Sequence, residues 1–185
     1  MNRNPEPLTI ESSGPLTGSQ LSHYIFLTRI GSADGVDIYR AHDTKLNRDV
    51  AIKVLPQLLS GRQRDVAQLY REAQVQASLN HPGIAAIYGI EEDGSTTGLV
   101  MELVEGESLT HRTSQGPHPL HVVLEFARQI AEALEAGHDR GVVHGHLTPD
   151  NIVVAPDGRL KIVNFGIARL LEGPTRGRDF TDEKR

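Results

Sequence analysis

The order of the predicted secondary-structure elements most constrains the fold of this chain. β-prone runs occupy residues 24–30, 36–41, 49–55, 85–91 and 97–103. A single stretch of helical periodicity, residues 63–79, interrupts these runs. A long amphipathic stretch follows at 120–140, and then two short apolar runs flank the turn Pro156-Asp157-Gly158. Because strands and helices are segregated rather than alternating, the pattern predicts an α+β fold in two parts.

Composition excludes several classes of partner and chemistry. The 185 residues include 19 Lys and Arg against 24 Asp and Glu, and the net charge of −5 provides no general attraction for nucleic acid or an anionic membrane. The absence of cysteine excludes disulfides, thiolate zinc sites and cysteine nucleophiles. Residues 1–20 lack the apolar core of a secretory signal, so we expect a cytoplasmic protein. Polar composition without periodicity predicts flexible tails at 1–20 and 172–185.

Several short motifs follow one another along the chain. In order they are Gly31-Ser32-Ala33-Asp34-Gly35-Val36, Val50-Ala51-Ile52-Lys53, Arg71-Glu72-Ala73, His81-Pro82-Gly83-Ile84, Met101-Glu102-Leu103-Val104, His144-Gly145-His146-Leu147-Thr148-Pro149-Asp150-Asn151 and Asn164-Phe165-Gly166. Their order and spacing resemble those of the Hanks-type, eukaryotic-like serine/threonine protein kinases of bacteria, from about Leu21 to Leu171. The resemblance implies a protein-kinase-like N-lobe over 21–104, with a five-stranded antiparallel sheet and one helix. A partial helical C-lobe would follow over 105–171.

The resemblance also implies an ATP site between the two lobes. Lys53 would pair with the α- and β-phosphates and with Glu72 of the helix. The glycine-rich loop retains Gly31 but carries Ala33 and Val36 at its other two glycine positions, where side chains should push the backbone away from the phosphates. The implied adenine contacts are the side chains of Ile38, Ala51 and Val153 and the backbone of Glu102 and Val104.

The positions that would carry catalysis depart from the family pattern. His146 stands where the family has the aspartate that accepts the substrate proton, and Thr148 replaces the lysine that neutralises the transferring phosphate. Asn164 replaces the metal-binding aspartate, whereas Asn151, the second metal ligand by similarity, is retained. Two neutral amides without a carboxylate form a weak Mg²⁺ site, because this ion prefers carboxylate and phosphate oxygens.

One further departure concerns packing rather than catalysis. Gln76 lies four residues after Glu72, where the family has a bulky apolar residue in a packed column between the lobes. His144 and Phe165, two other members of that column by similarity, are present. We expect Gln76 to weaken the packing of its helix unless its amide finds a partner.

These departures predict a pseudokinase that is able to bind ATP with little dependence on Mg²⁺ and that acts through protein contacts. Two alternatives remain open. One is a weakly active kinase in which His146 acts at the base position and Asn164 at the metal-ligand position, and the other is a vestigial truncated fragment. Only 19 residues follow Gly166, so the later C-lobe helices of the family would be absent. We therefore expect a protein partner or self-association through the uncovered helix at 120–140, and neither nucleic acid nor membrane as a partner.

Overall fold

A computed structural model describes residues 14–33, 36–55, 70, 73–94 and 96–165 of the chain. Within these ranges the chain forms two parts, an antiparallel sheet that ends at Glu102 and a smaller part of helices and hairpin strands that follows. This segregation confirms the predicted α+β class. Glu72, most of the predicted helix at 63–79, and the tail residues 1–13 and 172–185 lie outside the described residues.

The first part is an antiparallel sheet of six strands in the order β1-β2-β3-β4-β6-β5. Its strands are β1 Gln20–Leu21, β2 Tyr24–Ala33, β3 Val36–Asp43, β4 Arg48–Leu55, β5 Ile87–Asp93 and β6 Thr96–Glu102. The five runs predicted as strands therefore form β2 to β6. Strand β1 is an additional sixth strand, since only five strands were predicted from the sequence.

Strand β4 shows why this sheet is stable. Successive side chains of a strand point to opposite faces. On one face Val50 and Ile52 are fully buried in a cluster with Tyr39 and other core residues. On the other face Ala51 packs in a second cluster with Met101. Both faces of β4 are thus covered, which explains the nearly continuous apolar run of its sequence.

Strand β1 shows that part of the predicted N-terminal tail belongs to the fold. Leu21 is fully buried, and Gly98 of β6 makes room for it, because a Cβ added to Gly98 would lie 2.7 Å from Cδ2 of Leu21. The Gly18 N–H donates to the carbonyl of Phe26 over 2.8 Å. The prediction of a flexible tail over 1–20 is therefore wrong for residues 14–20, since burial of Leu21 holds this segment against the sheet.

Helical structure in the described residues consists of 73–77, the short helix α1 Leu109–Ser114 and the long helix α2 Leu120–His138. The hydroxyl of Ser108 caps α1 by accepting a hydrogen bond from the N–H of His111 over 3.1 Å. Beyond α2, the N–H of Val142 donates to the carbonyl of Gly137 over 2.9 Å. The predicted helix at 120–140 is confirmed, with its end two residues earlier.

The second part is built around a small sheet. Strands β7 Glu107–Ser108, β8 Ile152–Val154 and β9 Leu160–Ile162 pair in the order β7-β8-β9, and the 3-10 turn Pro149–Asn151 precedes β8. Strand β9 also joins the segment that leads into β5. The Ala85 N–H donates to the carbonyl of Ile162 over 2.9 Å, and the Ile162 N–H donates to the carbonyl of Gly83 over 2.8 Å. These bonds fix the two parts of the molecule against each other.

Helix α2 has two apolar faces with different environments. Phe126 and Ala133 are buried against the small sheet and its surroundings. Leu120 and Leu124, by contrast, are 73% and 60% exposed. Within the described residues, none of the helices is long and apolar enough to span a membrane.

Candidate functional site

A cleft of about 920 Å³ lies between the large sheet and the small sheet. Strands β2, β3 and β4 supply its upper wall, residues 101–106 supply its back, and the segments around 146–153 and 163–164 supply its floor. The predicted site residues that line it are Gly31, Ile38, Ala51, Glu102, Val104, His146, Thr148, Asn151, Val153 and Asn164. The structure therefore brings together the two halves of the predicted site, which are far apart in the sequence.

The inner walls of the cleft are apolar. Ala51 is almost completely buried and Ile38 is half-buried on the upper side, whereas Val153 of β8 faces the cleft from the lower side. The N–H of Glu102 donates to the carbonyl of Ala86 over 2.8 Å, so that donor is already used within the fold. An apolar slot of this kind suits a planar aromatic ring.

An ion pair closes the back of the cleft. The ammonium group of Lys161 lies 2.6 Å and 2.8 Å from the two carboxylate oxygens of Glu102. The Ala86 N–H also donates to Glu102 Oε2 over 3.2 Å. Because Glu102 ends β6 and Lys161 lies in β9, this pair joins the two parts of the molecule directly. Lys161 was not predicted from the sequence, because no local pattern signals its role.

Lys53 is fully buried within β4, where it pairs in register with Ile38 and Leu99. It is not among the described residues that line the cleft. Its predicted partner, Glu72, lies outside the described residues, so the pairing of Lys53 with Glu72 stays a prediction. Arg40 and Asp150 line the cleft without having been predicted to do so. The side chain of Arg40 pairs with Asp49, with their closest atoms 2.5 Å apart.

His144 is a structural residue in this site. It is buried, and its Nε2 lies 3.2 Å from the carbonyl oxygen of Val163, to which it donates. Its Nδ1 accepts a hydrogen bond from the N–H of His146 over 3.3 Å, which requires a neutral ring. Burial lowers the pKa of His144 and so favours that neutral form. The ring also meets Phe165 edge to face, with centroids 5.1 Å apart.

The predicted metal ligands Asn151 and Asn164 form a hydrogen-bonded pair, which we call the amide pair. Asn164 Nδ2 donates to Asn151 Oδ1 over 2.9 Å, and both residues are buried. Asn151 Nδ2 in turn donates to the carbonyl of His146 over 3.0 Å. The backbone of Asn164 has φ 58°, a left-handed conformation that asparagine tolerates better than most residues.

These residues do not fit a magnesium ion. The amide pair brings no negative charge, and the side-chain oxygen of Asn151 already accepts the hydrogen bond from Asn164. The described residues contain no group of three or more His, Cys, Asp or Glu side chains that are placed to hold a metal ion. Because Mg²⁺ sites in proteins rely on carboxylates and phosphate oxygens, the weak metal site predicted from the sequence is weaker still in the structure.

Comparison with known proteins identifies the fold. A family model described as protein kinase domain matches residues 24–183 of the chain. The chain is 35% identical over 157 residues to the serine/threonine-protein kinase PknL of Mycobacterium tuberculosis, an alignment that covers 84% of this chain and 39% of PknL. It thus spans about two fifths of the length of that relative.

Two solved structures share this architecture. The PknI kinase domain of M. tuberculosis superposes with a TM-score of 0.71 at 25% identity, over 82% of this chain and 61% of that one. Rad53 in complex with AMP-PNP superposes with a TM-score of 0.68 at 28% identity, over 78% and 39%. The predicted protein-kinase-like fold with a partial C-lobe is confirmed. The chain belongs to the protein kinase domain family, among the Hanks-type serine/threonine kinases of bacteria.

Proposed function

We propose that this domain is a pseudokinase, which holds a nucleotide in the cleft, transfers no phosphoryl group and acts through protein contacts. The observation that carries the proposal is the amide pair. Asn164 Nδ2 and Asn151 Oδ1 lie 2.9 Å apart and bond to each other where the family resemblance implies a metal ion. Positioning and charge neutralisation by the metal are central to phosphoryl transfer in this family. A neutral pair of amides supplies neither.

The residues at the floor of the cleft support the same conclusion. His146 and Thr148 line the cleft at the positions that resemble the catalytic aspartate and lysine. A positioned general base typically contributes about 10²–10⁴ in rate. Thr148 has no charge with which to neutralise a transferring phosphate. Because base, cation and metal ligand act as one unit in this chemistry, loss of any one of them already removes much of the rate, and here all three positions are replaced.

The apolar slot supports the part of the proposal that concerns nucleotide binding. Ile38 and Ala51 on one side and Val153 on the other provide apolar contact surface for a base. The fold is shared with Rad53, whose solved structure is a complex with AMP-PNP. We propose that ATP binds in the same cleft here, held by its base and without a requirement for Mg²⁺.

A thermal melt of the purified chain tests this function. The chain alone, with ATP, and with ATP plus Mg²⁺ would be compared, and inorganic tripolyphosphate would serve as a control ligand that carries charge but no base. A ligand that binds only the folded state at 100 times its Kd adds about 2.7 kcal/mol of stability. We expect ATP to raise the melting temperature, Mg²⁺ to add nothing, and tripolyphosphate to have no effect. A shift that appears only with Mg²⁺ would contradict the proposal.

A phosphotransfer assay separates the pseudokinase from a weakly active kinase. The chain would be incubated with labelled ATP, with Mg²⁺ or Mn²⁺ and a general protein substrate, beside the Lys53→Met variant. We expect no transfer above the level of that variant. Metal-dependent transfer that Lys53→Met abolishes would establish the kinase alternative, in which His146 and Asn164 take part in catalysis.

The exposed face of α2 is the contact surface that we propose, with a second copy of the chain as the partner. Leu120, Leu124, Ala127 and Ala131 are all exposed and follow one another at intervals of four, three and four residues. This spacing is that of a helix–helix seam. The absence of cysteine suits a reducing compartment, and we propose a cytoplasmic location.

A further inference from the structure

A small cavity, which we call the inner cavity, lies behind the cleft between the helical residues 73–77, the large sheet and the segment 164–165. Its volume is about 10 Å³. The residues around it are nearly all buried and mostly apolar: Gln76, Leu79, Ile84, Ala85, Ile87, Met101, Asn164 and Phe165. Gln76 and Asn164 are the only two with polar side chains among these described residues.

Both of these polar residues present an unsatisfied acceptor. Gln76 Oε1 and Asn164 Oδ1 are buried and have no hydrogen-bond partner among the described residues. A buried acceptor that is left without a partner costs about 1–3 kcal/mol. Two such atoms on the wall of one cavity are therefore unexpected, since buried polar groups in native proteins are nearly always paired.

The orientation of the Asn164 amide follows from a chain of hydrogen bonds. The carbonyl oxygen of His146 needs a donor, and of the two ends of the Asn151 amide only Nδ2 is able to donate. The Oδ1 of Asn151 is therefore left as an acceptor. That oxygen lies 2.9 Å from Asn164 and requires the Nδ2 of Asn164 as its donor. A flipped Asn164 amide would place two acceptors in contact. The Oδ1 of Asn164 is therefore the end that remains for the inner cavity.

We infer that one internal water molecule binds in the inner cavity and donates its two hydrogen atoms to Gln76 Oε1 and Asn164 Oδ1. The volume matches a single water, for which a cavity of about 10–15 Å³ is sufficient. The chemistry matches as well, because the two protein atoms are acceptors and a water molecule supplies two donors. The water completes a polar connection that runs from Gln76 through Asn164 and Asn151 to His146 on the floor of the cleft. It thereby couples the helix that carries Gln76 to the floor of the cleft, a role independent of whether the cleft binds nucleotide.

A crystal structure of the full chain, at a resolution that defines ordered waters, tests the inference directly. We expect electron density for one water with its oxygen within about 3.2 Å of both amide oxygens. Density for no water, or an amide of Gln76 turned so that its Nε2 contacts Asn164 directly, would overturn the inference.

Thermal melts of two variants provide an independent test in solution. Gln76→Met preserves the shape of the side chain and removes its oxygen, whereas Gln74→Met makes the same change at an exposed position of the same helix. If a water bridges the two amides, Gln76→Met breaks the bridge and lowers the melting temperature by about 2–4 °C. Gln74→Met should leave it unchanged. An increase for Gln76→Met would show that Gln76 Oε1 is truly unsatisfied, and would overturn the inference.

Discussion

At the residue scale, Asn164 differs from an aspartate in a single group, an NH₂ in place of a carboxylate oxygen. That group donates to Asn151 Oδ1 over 2.9 Å and so holds the two side chains together without any ion. A carboxylate at the same place would face another acceptor, and only a cation or a proton would reconcile the two. One substitution therefore exchanges a site that needs a cation for one in which the two side chains bond to each other directly.

Asn164→Asp should reverse this exchange. The substitution removes the hydrogen bond to Asn151 and brings a buried negative charge against its Oδ1, so without metal we expect the melting temperature to fall by about 2–4 °C or more. ATP with Mg²⁺ should then stabilise the variant more than ATP alone, which we do not expect for the unsubstituted chain. Asn80→Asp, at an exposed position, is the matched control. Equal responses to Mg²⁺ in the variant and the unsubstituted chain would contradict the role assigned to the amide pair.

His144 makes the stability of the domain depend on pH. Burial lowers its pKa in the folded chain below the ordinary value of 6.5, so the unfolded chain takes up a proton more readily. The stability that the neutral ring of His144 contributes is complete above pH 6.5, the ordinary pKa of histidine. It is lost as the pH falls through the lower pKa of the folded state. The N–H and guanidinium of Arg159 hold the pKa of the Asp157 carboxyl below its ordinary value of 3.8, so its contribution to stability is lost only as the pH falls through that lowered pKa.

Melting temperatures measured from pH 7 down to about pH 5 would detect this dependence. We expect the unsubstituted chain to lose stability over that range and His144→Gln to lose less, because it has no ring to protonate. His138→Gln, at the exposed end of α2, should keep the full dependence. The same slope for His144→Gln and the unsubstituted chain would be inconsistent with a buried, neutral His144.

At the element scale, the connection between β6 and β9 determines how the two parts of the molecule sit around the cleft. The Lys161 ammonium group lies 2.6 Å and 2.8 Å from the carboxylate oxygens of Glu102. Both side chains are about one quarter exposed, so this pair is screened less than a surface ion pair. The backbone bonds of Ile162 to Gly83 and Ala85 run beside it. Together they hold the two walls of the cleft against each other.

Lys161→Met should weaken this connection between the two parts of the molecule. Glu102 would keep the N–H of Ala86 but lose its cation, and we expect a loss of about 1 kcal/mol, or about 2–4 °C in melting temperature. Arg159→Met serves as the control, because Arg159 pairs with Asp157 in its own exposed turn and with no other acidic side chain of the described residues. Differential scanning calorimetry at low and high salt would compare the two variants. Equal losses for both would mean that the pair does not connect the two parts.

At the scale of the whole molecule, the exposed face of α2 is the feature that the fold leaves unexplained. Leu120 and Leu124 are more exposed than most leucines of a folded domain, and Glu125, Arg128 and Glu132 form ion pairs beside them along the same helix. This apolar seam is the surface through which we propose that a second copy of the chain packs, in the antiparallel orientation.

Leu124→Lys should therefore weaken self-association. A lysine at the centre of an apolar seam would be desolvated, so we expect sedimentation velocity to show the variant as a monomer at concentrations where the unsubstituted chain associates. Glu135→Gln changes the charge by the same amount at an exposed polar position of the same helix, and should behave like the unsubstituted chain. A monomeric unsubstituted chain would refute the proposed contact.

The sequence by itself determined the local structure and the identity of the site residues. Periodicity located β2 to β6 and α2, because the alternation of apolar residues in a strand or helix is a property of neighbouring positions. The motif positions predicted Asn151, Asn164 and His146 as members of one site, and all three line the cleft. Burial of Leu21, which adds β1 to the sheet, escaped prediction because a two-residue strand carries no period.

Only the tertiary structure decided how residues far apart in the sequence meet. Periodicity predicts that a face is apolar but not what covers it, which is why one face of α2 proved buried and the other exposed. The pair of Glu102 with Lys161 joins positions 59 residues apart, and the amide pair joins positions 13 apart. Such contacts depend on the relative placement of whole elements, which hydrogen bonds and packing fix only when the chain has folded. The shared cavity of Gln76 and Asn164 is of the same kind.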